Sequence, residues 1–174
     1  STSYQHQHSF SPLILSYEFM NSRTAAFDSI LALHPYLQIS MRDQFVPSLS
    51  YSFTYQSRSW RTNPWWVQLN FKEAGNITSA IYAAAGQKFN KKNKELFGNP
   101  FAQYVKFTAE AHKLFKLTKD INIATRVFGG IIYSYGNSTS APYAEQFYVG
   151  GANSVRAFTV RTIGPGAYRP ANTK

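Results

Sequence analysis

His6 and His8 stand two residues apart, the spacing that sets both imidazoles on one face of a strand, where they could share a metal ion. A zinc site needs three or four ligands, and no third follows in sequence, so two ordinary polar side chains is the plainer reading. His34 and His112 are isolated, and the carboxylates of Asp28, Asp43, Glu73, Glu95, Glu110, Asp120 and Glu145 form no recognisable pair for acid–base work. No Gly-x-Ser-x-Gly elbow and no phosphate-cradling loop is present. The glycines at 150–151 and 164–166 do not follow a strand-to-helix pattern, so they do not read as a nucleotide loop. The sequence therefore predicts no enzyme, no cofactor and no metal. Lys88, Lys91, Lys92 and Lys94 make a basic run beside Asn and Gly, able to meet lipid or nucleic-acid phosphates, with a solvated loop as the plainer reading. Most aromatics fall on the opposite strand face from the charges, which argues against stacking single-stranded nucleic acid.

The elements that would position these residues are strands. The chain has 174 residues, no cysteine, a net charge of +10 and an aromatic content of 17%. The missing cysteines exclude a disulfide framework and thiolate metal sites. The charge suits an anionic partner or a few basic loops. No apolar run reaches the roughly 18 residues of a transmembrane helix. Apolar residues alternate with polar ones five times: Leu13 to Phe19, Phe45 to Tyr55, Trp65 to Phe71, Val105 to Ala111, and Ile121 to Val127 with Tyr133 and Tyr135 beyond. Period two gives each strand one apolar and one polar face. A membrane barrel and a soluble sandwich both meet that pattern. Residues 57–64 and 117–120 make short connections, whereas 20–44, 74–100 and 136 onward are long, the asymmetry of outer-membrane barrels. Trp60, Trp65 and Trp66 cluster at a short turn, as an interfacial aromatic girdle would. Residues 24–33 could form a short loop helix.

The most patterned stretch is residues 147–166. It holds Gly150-Gly151, the segment Val155-Arg156-Ala157-Phe158, a second arginine at 161, and Gly164-Pro165-Gly166. Its glycines mark bends, and Val155 to Phe158 reads as the tip of a folded-back hairpin. This order of motifs resembles the signature extracellular loop of the BamA/TamA family of outer-membrane assembly barrels, and most of all its lipoprotein branch TamL. Ala157 departs from the family, which usually has glycine there.

The resemblance implies an all-β fold: part of a transmembrane antiparallel barrel of about sixteen strands. Five would lie here, roughly at 8–19, 44–57, 64–75, 102–116 and 121–135, followed by the loop 136–174. Five strands cannot close a barrel in lipid, so a longer protein is expected. The implied location is the outer membrane, with lipid, lipopolysaccharide, client barrel proteins and assembly subunits as partners, and no nucleic acid. The implied role is assembly and insertion of barrel proteins, or translocation across the envelope. A two-partner secretion pore, a passive porin or structural barrel, and a soluble basic β-domain binding nucleic acid are the alternatives. Arg156 would contact the inner barrel wall, with Phe158 packing beside the tip and Arg161 holding the returning limb.

Overall fold

The computed structural model describes residues 5–19, 22, 24–33, 41–57, 63–89, 94–152 and 154–158. They fall into two units, Ser1–Ala144 and Glu145–Lys174. The first is built on five long strands: β1 (His6–Glu18), β2 (Gln44–Gln56), β3 (Trp65–Ala74), β6 (Tyr104–Lys116) and β7 (Asn122–Ser134). Each pairs antiparallel with its sequence neighbour, giving the order β1-β2-β3-β6-β7. A two-stranded ribbon, β4 (Glu95–Leu96) and β5 (Asn99–Pro100), lies in the β3–β6 connection. Two helices also occupy connections: α1 (Ala25–Leu33) before β2 and α2 (Asn76–Ala84) after β3.

This corrects the expected fold class. The described residues form a mixed α/β unit with two open sheets, not an all-β transmembrane barrel. The physical reason lies in the ladders: among the described residues β1 and β7 each pair with one neighbour, so this sheet has two edges and is open. The β3–β6 connection, expected as plain loop, folds into α2 and the ribbon. No helix among the described residues is long and apolar enough to cross a membrane.

Gly75 explains why β3 turns abruptly into α2. Its φ of +75° is left-handed, and a Cβ there would sit 2.3 Å from the carbonyl oxygen of Ala102. Its amide donates to the Pro47 carbonyl and its carbonyl accepts from the Ser79 amide, which starts the helix. The small core lies at this end, where Val46, Ala74, Ala102 and Tyr104 are buried together with Ile132 against them.

Candidate functional site

The register sorts the side chains of the five-stranded sheet into two faces. Tyr51, Phe71, Phe107 and Ile131 are direct partners across β2, β3, β6 and β7 and form one row on the first face. Tyr55, Val67, Ala111 and Val127 form a second. A bulge between Ser11 and Ile14 shifts β1 by one residue, so His6, His8 and Phe10 stand on this face opposite Tyr55, Phe53 and Tyr51. Nearly all these apolar side chains keep substantial exposure, and Val127, Ile131 and Tyr133 on β7 are 70%, 67% and 68% exposed. Apolar side chains thus run across all five strands on this face, and those of β7 are among the most exposed.

The second face is a polar ladder. The Gln68 amide donates to the hydroxyls of Ser52 and Thr54, both at 3.4 Å, and Asn70 donates to Thr108 at 3.1 Å. Glu110 Oε1 accepts from Arg126 Nε at 2.6 Å and lies 2.6 Å from His112 Nε2. The hydrogen bond with His112, then that with Arg126, holds the Glu110 carboxyl below the usual carboxylate range. Trp66 lies against the His112 ring, with centroids 4.7 Å apart.

At the core end of the sheet, a buried polar network ties the β3–β6 connection to residues following β7. Asn137 is its hub. Its side-chain oxygen accepts from the Lys94 amide at 2.7 Å, and its side-chain nitrogen donates to the carbonyls of Lys94 and Phe101, both at 2.8 Å. Its own amide donates to Gln103 Oε1 at 3.0 Å. Gln103 and Tyr135 both donate to Asn76 Oδ1, which fastens the first turn of α2. Tyr82 of α2 donates its hydroxyl proton to the Glu95 carbonyl of β4.

Lys94 is only 3% exposed. Its ammonium donates to Ser79 Oγ at 2.9 Å and to the Phe89 carbonyl, with the rings of Phe89 and Phe101 at 5.6 and 5.7 Å. Burial lowers its pKa from the ordinary lysine value. The expectation of a solvated basic cluster therefore fails at Lys94, whereas Lys88 is exposed and Lys91 and Lys92 lie outside the described residues. Nearby, burial raises the Glu73 carboxyl above its usual range, partly offset by hydrogen bonds from Asn76.

Within the second unit, Gly150 and Gly151 adopt φ of 104° and 91°, where the sequence predicts a bend. The Gly151 amide donates to the Phe158 carbonyl at 2.8 Å, closing a loop on itself, and the Phe158 amide donates to the Val155 carbonyl at 3.1 Å. Arg156 Nε donates to the Ala152 carbonyl at 3.1 Å. Val155, Arg156, Ala157 and Phe158 are all exposed at the tip. Arg161, Gly164, Pro165 and Gly166 lie outside the described residues.

Trp60 and His34 also lie outside them. Trp65 and Trp66 are consecutive in β3, so they point to opposite faces: Trp65 under the Lys113 ammonium at 4.2 Å, Trp66 on the polar ladder. His8 Nδ1 lies 2.7 Å from the Tyr51 hydroxyl. Among the described residues no three His, Asp or Glu side chains gather as a metal site. Sequence reasoning missed Asn137 and Gln103, whose bonds join residues more than thirty positions apart, and it read Lys94 as solvated.

Compared with known proteins, residues 16–173 match the Omp85 superfamily domain. No solved structure matches the chain. The match reaches the superfamily and not the BamA/TamA family or its TamL branch, so the narrower resemblance is corrected to that level. Outer-membrane assembly, a secretion pore and a porin all required a closed transmembrane barrel, and the described residues form open sheets with helices between strands. Those roles are corrected accordingly. So are the outer-membrane location and the lipid, lipopolysaccharide and client-barrel partners inferred from them. The chain belongs to the Omp85 superfamily.

Proposed function

We propose that this chain is a strand-pairing scaffold, which joins further β-structure of a protein partner through its open sheet. The observation that carries this reading is β7. It is thirteen residues long, bonded on one side to β6, and exposed along almost its whole length. A long edge strand with apolar side chains is a ready template for strand addition, because every second amide and carbonyl faces outward. Added strands would also extend the apolar face across which Val127, Ile131 and Tyr133 are left uncovered. Lysines on an edge strand oppose such pairing. Val127→Lys with Ile131→Lys therefore abolishes co-migration of the protein with its partner on native gels, whereas Gln87→Lys on an exposed connection leaves it intact. Equal co-migration of both variants would refute the proposal.

The self-closed loop is proposed as a second contact element. Its turn holds Arg156 between exposed Val155 and Phe158, so a planar guanidinium and two apolar side chains are offered together. That combination suits a carboxylate set in an apolar surround.

A further inference from the structure

The polar face carries one row in which four strands each contribute a side chain at the same level. Gln56 pairs with Trp66, Trp66 with His112, and His112 with Arg126. Partners in register point to the same side, so the amide, indole, imidazole and guanidinium stand in line. Beside them is an open cavity of about 330 Å³ whose lining includes all four, together with Leu114 and Lys113. That volume admits a phosphate or an acidic side chain with room to spare.

Glu110, one row away, orients this line. A single carboxylate oxygen holds Arg126 by its Nε and His112 by its Nε2, and the Glu110 side chain is only 18% exposed. The guanidinium is thus anchored through its inner nitrogen. Among the described residues its two terminal nitrogens make no hydrogen bond, and the Arg126 side chain is 55% exposed. The Trp66 ring backs His112 and fixes its plane. Arg126 supplies the positive charge of this row, in a chain of net charge +10.

We propose that this row is an oxyanion-binding site, in which the terminal nitrogens of Arg126 take two oxygens of a carboxylate or phosphate. Gln56 and His112 flank the bound group, and Trp66 walls its apolar side. A planar fork matches such a group with two parallel bonds, which a lysine ammonium does not reproduce. Arg126 stands on the edge strand β7, but the site uses its side chain on the polar face, whereas strand pairing uses the outward main-chain groups of β7.

The test is calorimetric titration of the full chain, followed in parallel by tryptophan fluorescence, with inorganic phosphate and with a deca-glutamate peptide as probes. Saturable binding is expected, at least tenfold weaker in Arg126→Gln and unchanged in Lys88→Gln, which removes an exposed charge elsewhere. Binding of phosphate identifies a free ion as the ligand; binding of the peptide alone identifies an acidic polypeptide segment. Absence of saturation with either probe overturns the proposal. Equal weakening by Arg126→Gln and Lys88→Gln also overturns it, since that is the behaviour of diffuse charge. Arg126→Lys, which keeps the charge and loses the fork, weakens binding if the geometry is right and leaves it unchanged if only charge matters.

Discussion

Replacing Asn137 by alanine tests how the β3–β6 connection is held. The side chain makes three hydrogen bonds, of 2.7, 2.8 and 2.8 Å, to the amide and carbonyl of Lys94 and the carbonyl of Phe101, and the residue is buried. Each bond contributes about 1 kcal/mol net, and the groups left behind are main-chain groups in a site that water reaches poorly. Their sum is about 3 kcal/mol, which corresponds to roughly a hundredfold in an opening equilibrium. The loss falls on local opening of residues 94–103 rather than on the strand ladders, which Asn137 does not join. Amide exchange reads it directly: the Lys94 amide, bonded to Asn137 Oδ1, exchanges about a hundredfold faster in Asn137→Ala, while amides in the β2–β3 ladder keep their rates. Asn137→Asp retains the acceptor and loses the two donated bonds, so it falls between. Less than a threefold change at Lys94 would refute the view that this side chain fastens the connection.

Gly75→Ala forces a Cβ to 2.3 Å from the Ala102 carbonyl at a left-handed φ, so a loss above about 2 kcal/mol is expected on denaturant titration. Two carboxylates act oppositely on the acid limb of stability. Glu110 has a lowered folded pKa, so its contribution is present above the unfolded value and is lost as pH falls through the folded one; Glu110→Gln therefore flattens acid unfolding. Glu73 has a raised folded pKa, so between the unfolded and folded values stability falls as pH rises; Glu73→Gln removes that fall, as unfolding midpoints across pH will show. Arg156→Ala deletes the bond to the Ala152 carbonyl, worth about 1 kcal/mol, and raises proteolytic nicking within residues 151–158 about fivefold without shifting the thermal midpoint of the sheet.

Some of this architecture can be read in the sequence because it is periodic. The alternation from Phe45 to Tyr55 and from Trp65 to Phe71 lies in β2 and β3, and Tyr51, Trp65 and Phe71 of its apolar side are exposed. Period two states that a strand has two faces and leaves unsaid what covers either one. The same pattern fits a barrel wall and an open sheet, and the barrel was what the family resemblance implied. The bulge between Ser11 and Ile14 is marked in sequence by Pro12 alone, and it changes which β1 residues share a face with β2. The segment Asn76–Ala84 shows isoleucines at 77 and 81 on a helical spacing, a signal lost inside what reads as a long loop. Lys94 is the clearest lesson on the site. Its neighbours in sequence are polar and basic, so composition predicts solvent, yet Ser79, Phe89 and Phe101 enclose its ammonium. Nothing local distinguishes it from Lys88. The Glu110–His112–Arg126 group is equally non-local: it exists because β6 and β7 pair in one register, and a slip of one residue would disperse it.

The central claim is that β7 is a pairing edge in the working protein. Amide exchange along Asn122–Ser134, measured on protein isolated intact from its native cells, tests it most directly. In an antiparallel edge strand alternate amides face the neighbour and the rest face outward. A paired β7 protects both sets, so consecutive amides from Ile123 to Tyr133 should all exchange slowly. Alternation, with every second amide exchanging at loop rates, would mean that the edge is left open and would contradict the account.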